Sequence, residues 1–158
     1  MRIEIDATRQ ELALLEGTRS VRRYAVSTSK HGLGERNGSF CTPRGRHIVR
    51  ARIGAGQPLN SVFVRRRPTG EIWTPALHAA YPGRDWILTR ILWLSGCEPG
   101  FNRLGTVDTM RRYVYIHGSP DSAQMGKPGS IGCVRMHGQD LLDLFEQVAP
   151  YTAVVVHE

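Results

Sequence analysis

Helical periodicity is confined to one stretch of this chain, and that restricts the fold more than any other feature. Leu141, Leu142, Leu144, Phe145 and Val148 fall on one helical face, Asp143, Glu146 and Gln147 face outward, and Pro150 closes the segment. Before it, the chain alternates or runs in short β-branched and aromatic groups at residues 2–6, 11–15, 21–26, 47–53, 61–64 and 71–73. Trp86 to Leu94 reads as a buried strand, although its Leu and Trp content also permits a short helix, and Thr152 to His157 returns as a strand. Ser27 to Gly45 and Glu98 to Asp108 carry the turn formers Gly, Asn and Pro and read as surface loops. The pattern predicts a mostly β fold with one marked helix. With no linker, repeat or low-complexity tract, residues 1–158 are expected to form a single domain around one core.

Chemistry concentrates between Tyr113 and Met136. An apolar strand, Tyr113 to Ile116, runs into His117-Gly118, and a loop of polar residues, Pro and Gly leads to Ser130-Ile131-Gly132-Cys133-Val134-Arg135-Met136. A thiol is a weak nucleophile at neutral pH because it ionises near 8.5, so a catalytic cysteine needs an imidazole or a positive environment. His117 and Arg135 supply both, which predicts a Cys133 thiol that ionises below its ordinary value, unlike Cys41 and Cys97. Gly132 has no side chain to block a substrate carbonyl, and Gly118 is expected to let the chain turn sharply after the base. The backbone N–H groups of Gly132 and Cys133 are the candidate oxyanion donors. No Gly-x-Ser-x-Gly elbow surrounds Ser130, so its hydroxyl belongs to a turn or to the oxyanion side. His137 is read as a capping or surface residue at the helix start. A zinc site at His117, Cys133 and His137 lacks a fourth ligand at finger spacing, so neither a metal nor another cofactor is expected. Three cysteines without a Cys-x-x-Cys pair suggest no disulfide framework.

The net charge is +7 and the pI near 9.9, with arginines clustered at Arg22-Arg23, Arg65-Arg66-Arg67 and Arg111-Arg112. Such a field attracts anions of any kind. Nucleic acid is disfavoured, because no zinc finger, aromatic RNP pattern or basic helix is present to position base contacts. A peptide bearing several carboxylates satisfies the same charge. No apolar window reaches the roughly 20 residues of a membrane helix. The strand-like start at Met1, without an export signal, leads to the expectation of a cytoplasmic protein, or a periplasmic one if a leader has been removed.

His117-Gly118, a loop, then Ser-x-Gly-Cys-Val-Arg-Met resembles the signature of the L,D-transpeptidase catalytic domain, the YkuD-like family of bacterial peptidoglycan enzymes. Thr42-Pro43-Arg44-Gly45 resembles the Thr-Pro-x-Gly turn of the same domain. One departure is Ile131, where many members have His two positions before the cysteine. The resemblance implies a mixed β-sandwich, Cys133 as nucleophile, His117 as base and the Gly118 carbonyl as the acceptor that orients it. Arg135 would support the turn or pair with a substrate carboxylate, and Arg90, Arg103 and Arg111 are further carboxylate candidates. Tyr113, Tyr115, Trp73, Trp86 and Trp93 are read as core, with Trp73 or Trp86 the ones that could line a cleft. The implied substrate is a peptidoglycan tetrapeptide or muropeptide, cut between the L-centre of residue three and D-Ala four through a thioester. Water as acceptor gives an L,D-carboxypeptidase of cell-wall recycling, favoured by the missing leader; an amine gives crosslinking or D-amino acid exchange. Carbapenems are expected to acylate Cys133. The contrasting alternative is a non-catalytic basic module that binds peptidoglycan or nucleic acid.

Overall fold

A computed structural model describes all 158 residues. Ten strands and two helices follow in the order β1 (Arg2–Asp6), β2 (Glu11–Glu16), β3 (Arg19–Ser27), β4 (Gly45–Ile53), β5 (Ser61–Val64), β6 (Arg67–Ile72), α1 (Pro75–Ala80), β7 (Ile87–Gly96), β8 (Tyr115–Ser119), β9 (Val134–His137), α2 (Gly138–Gln147) and β10 (Ala153–His157). The strands form one sheet in the order β4-β10-β1-β2-β3-β9-β8-β7-β5-β6, and β4 also pairs with β7, closing that run into a ring with the β5–β6 hairpin attached outside it. The sheet is mixed: β1–β10 and β8–β9 are parallel, the other pairs antiparallel. The mostly β architecture and the helix after Cys133 are as expected. The stretch from Trp86 to Leu94 is strand, not helix, with β7 starting one residue later at Ile87 and running on to Gly96.

The alternation seen in the sequence sorts residues between two faces. Ile3 and Ile5, Leu12 and Leu14, Ile116, Val134 and Met136, and Val154 and Val156 all enter one 19-residue core. In a pleated strand the intervening residues must point to the opposite face. Helix α2 adds Leu141, Leu144 and Phe145 to this core and packs on β7, β8 and β9. Arg52 Nη2 donates to the Phe145 carbonyl at 2.6 Å, near the helix C-terminus, where a cation is favoured by the helix dipole. The short helix α1 was not expected. Its start is set by Pro75 in the first turn and by Thr74, whose hydroxyl accepts the Leu77 N–H at 3.1 Å.

His47 lies inside β4, 1% exposed. Its Nδ1 sits 3.0 Å from the Gly45 carbonyl and must carry the proton, so Nε2 accepts from Thr109 Oγ1, also at 3.0 Å. Burial pulls its pKa from 6.5 down to about 4. The unfolded chain therefore takes up a proton that the folded protein refuses until near pH 4. This contribution is complete above pH 6.5 and is lost as the pH falls toward 4, by about 3 kcal/mol. Urea denaturation at pH 7 and pH 4.5 should show that loss, and His47→Gln should reduce it.

Candidate active site

Strands β8 and β9 run side by side in parallel, with Ile116 opposite Val134 and His117 opposite Arg135. Ile116 and Val134 point into the core, so Tyr115 and His117 share the other face with Cys133 and Arg135. His117 therefore lies one diagonal step along the register from Cys133, the residue immediately before β9. His117 is 1% exposed, and its Nδ1 lies 2.7 Å from the Gly118 carbonyl. A carbonyl can only accept, so Nδ1 carries the proton. Nε2 is then the basic nitrogen of the neutral ring, and it makes no hydrogen bond within the protein.

Gly118 is not a turn residue. It sits within β8, where a Cβ would approach the Leu88 carbonyl oxygen of β7 to 2.5 Å. Its missing side chain permits the two strands to lie this close. Gly132, in contrast, is required by its backbone, which has φ +132°.

The turn before Cys133 is tied down at several points. Ser130 is buried, and its hydroxyl donates to the Cys133 carbonyl at 2.5 Å and accepts the Gly132 N–H at 3.3 Å. Thr42 Oγ1 donates to the Gly132 carbonyl at 2.9 Å and accepts the Ser29 N–H at 3.0 Å. The Thr-Pro-x-Gly segment thus clasps the cysteine turn from far away in sequence. Thr42→Val leaves that carbonyl and N–H buried without partners, so a loss of about 1–3 kcal/mol is expected in urea denaturation, largely restored by Thr42→Ser. Because the Gly132 N–H is turned toward Ser130, the Cys133 N–H remains the available oxyanion donor of the expected pair.

Cys133 opens on one side to a cleft of about 890 Å³ and keeps intermediate exposure. On its other sides protein surrounds it: the Tyr115 N–H donates to Sγ at 3.3 Å, and the Tyr113 carbonyl lies 3.6 Å away. Burial pushes the thiol up to about 12; the Tyr115 N–H opposes this, Asp85 adds to it, and Arg135 and Arg112 oppose it. Burial likewise lowers the His117 pKa, against the pull of the Gly118 bond and of Asp85. The expectation of an acidic thiol is therefore overturned. At rest the pair is a neutral thiol and a neutral imidazole, because neither charge is well solvated beneath the cleft.

Arg135 is engaged within the protein. It donates to the Gly129 carbonyl at 3.1 Å and pairs with Asp85 at 3.5 Å, so it supports the turn. Of the three further arginines, Arg111 lines the cleft; Arg90 is buried against the Phe145 ring and Arg103 is exposed, and neither reaches the cleft wall. Tyr113, expected in the core, is exposed and lines the cleft, as do Ile131 and Gly132; Tyr115 is buried as expected, packed with Phe63 and Ile91, and also contributes to the cleft wall. Trp86 lines a smaller cavity of about 310 Å³ that shares Asp85 with the cleft, while Trp73 is buried. His137 stands at the N-cap of α2 and makes no side-chain capping bond. Sequence reasoning missed Arg65, Arg66, Arg112 and Asp85, which also line the cleft, together with Phe40 and Ile87. The Arg-Arg clusters were the available signal for three of them.

The family model described as YkuD, the L,D-transpeptidase catalytic domain, matches residues 1–156. The chain belongs to that family. No curated protein sequence matches this L,D-transpeptidase domain. Among solved structures, an L,D-transpeptidase from Xylanimonas cellulosilytica is 21% identical with a TM-score of 0.56, covering 98% of this chain and 59% of its own. One from Mycobacterium smegmatis is 15% identical with a TM-score of 0.57, covering 99% and 58%. L,D-transpeptidase 3 from Mycobacterium tuberculosis, in complex with a faropenem-derived adduct, is 12% identical with a TM-score of 0.56, covering 99% and 59%. At these identities the likeness is one of fold, and this L,D-transpeptidase domain spans less than two thirds of those chains.

Proposed function

We propose that this L,D-transpeptidase domain is a cysteine acyl-transfer enzyme that cleaves peptidoglycan stem tetrapeptides between the L-centre of residue three and D-Ala four. The observation that supports this best is the shared face of β8 and β9: a cysteine open to a cleft beside an imidazole whose tautomer is set by the Gly118 carbonyl. As Sγ attacks the amide carbonyl carbon, Nε2 of His117 takes the thiol proton, so charge develops only as the S–C bond forms. The Cys133 N–H faces the developing oxyanion. Collapse breaks the C–N bond, the imidazolium returns its proton to the departing D-Ala amine, and a thioester remains.

Water then attacks with His117 as base, releasing the tripeptide acid and the thiol. Hydrolysis is the leading reading, since the side of Cys133 that faces the cleft is open to solvent. An amine from a second stem or a free D-amino acid is the alternative acceptor. The same nucleophile would be acylated by carbapenem-type β-lactams. Incubating the protein with a tetrapeptide carrying meso-diaminopimelate at position three should release D-Ala, read by mass spectrometry. Added D-amino acid that appears in the product at the expense of tripeptide would favour transfer over hydrolysis. No release and no exchange would overturn the proposal.

A further inference from the structure

The β5–β6 hairpin ends in a two-residue turn, Arg65-Arg66, closed by the Val64–Arg67 pair. Both turn residues have positive φ, +50° and +65°. Asn-Gly adopts such a turn with least steric penalty, whereas arginine is strained there. Backbone strain of this kind is often found where side chains serve a ligand. Arg66 already has work within the fold: its guanidinium lies 4.6 Å over the Tyr113 ring and 5.1 Å over Trp93, and Nη1 donates to the Tyr115 hydroxyl at 3.0 Å. This pins the turn to the cleft wall beside the strand that carries His117.

Arg65 is different. It lines the cleft, is exposed, and has no hydrogen bond or ion pair. Arg111 enters the same cleft from the segment before β8, with its backbone N–H held by Asp108 Oδ1 at 2.9 Å, and its guanidinium is likewise exposed and unpaired. Its neighbour Arg112 already donates to the carbonyls of Gly34 and Cys41 and to Ser39 Oγ. Asp85 is the sole acid in the lining, and it pairs with Arg135. The cleft therefore presents two unpaired guanidinium groups in a strongly positive setting.

We infer that Arg65 and Arg111 are specificity-determining residues that hold a free side-chain carboxylate on the acyl-donor peptide, so that a third residue bearing an acid is preferred over its amide. A guanidinium fork gives a carboxylate two charge-assisted hydrogen bonds that an uncharged amide cannot match. This inference rests on the acyl-transfer reading and adds the feature of the substrate that the cleft recognises.

The test compares two tetrapeptides identical except that the third residue's side-chain carboxylate is free in one and amidated in the other. By D-Ala release, kcat/KM should favour the free acid by about tenfold. Arg65→Gln and Arg111→Gln should each lower that ratio, chiefly through KM, and added salt should narrow it. Arg67→Gln, exposed but outside the cleft lining, should leave it unchanged. A ratio near one in the unaltered protein, or a ratio retained by both glutamine variants, overturns the inference. If neither peptide loses D-Ala, the acyl-transfer reading fails instead. Calorimetry on Cys133→Ala then still decides the carboxylate preference: tighter binding of the free acid, lost in the added glutamine variants, supports it, and equal binding of the two peptides, or none of either, refutes it.

Discussion

Under the proposed acyl-transfer function, Cys133→Ala is expected to lower D-Ala release by a factor on the order of 10⁶, the scale on which deletion of an enzyme nucleophile is felt. The substitution removes one sulfur from a partly buried position at the cleft, so the urea denaturation midpoint should move little, which separates a chemical loss from a folding loss. His117→Gln is expected to lower kcat by about 10²–10⁴-fold, because the thiol then has no base to relieve it of its proton. The pH dependence is the sharper part of this prediction. Burial holds the thiol near 12 and pulls the imidazole below its ordinary value of 6.5. The acid limb of kcat/KM, which reports protonation of Nε2, should therefore lie below pH 6.5, with a level stretch through neutrality. Iodoacetamide should label Cys133 at pH 7 more slowly than the same cysteine in the unfolded chain. An acid limb above 6.5, or rapid labelling at neutral pH, would mean that the resting pair is charged.

Legibility followed the physical origin of each feature. Strand alternation is written locally, so Ile3 and Ile5 or Val154 and Val156 could be assigned inward from their spacing alone, and the α2 face likewise except for Leu142, which lies outside the core and is only partly buried. Helix α1 was missed although Thr74-Pro75 is a start signal, because six residues are too few to establish a helical period. The strand β6 begins at Arg67, earlier than the apolar run suggested, since Arg65-Arg66 does not look like a turn pair. In the site, Cys133, His117 and Gly118 were legible because a motif joins them along the chain. The remaining wall was not, because Arg66, Asp85 and Arg112 arrive from three separate segments that only the sheet order brings together. Ionisation was misread for a related reason: a positive neighbour is visible in sequence, whereas desolvation depends on what packs around the sulfur.

Gly118→Ala should damage both stability and chemistry. The added methyl group would sit 2.5 Å from the Leu88 carbonyl oxygen, 3.2 Å from the Leu88 carbonyl carbon and 3.2 Å from the Thr89 Cβ, and the nearest of these are backbone atoms that no side-chain rotation can move. Leu88 and Gly118 are themselves a register pair between β7 and β8, so relief requires those strands to part at the residue that follows the base. Overpacking of this kind costs on the order of 3 kcal/mol, read as a lower urea midpoint. Parting the strands also shifts the Gly118 carbonyl, the acceptor that keeps the proton on Nδ1 of His117. Once that acceptor is displaced, the ring is free to adopt the tautomer that cannot accept the thiol proton. D-Ala release from the variant that remains folded, at low temperature and without denaturant, should then fall well below that of the unaltered protein. Full activity in a folded Gly118→Ala protein would show that the imidazole is positioned by something other than this carbonyl.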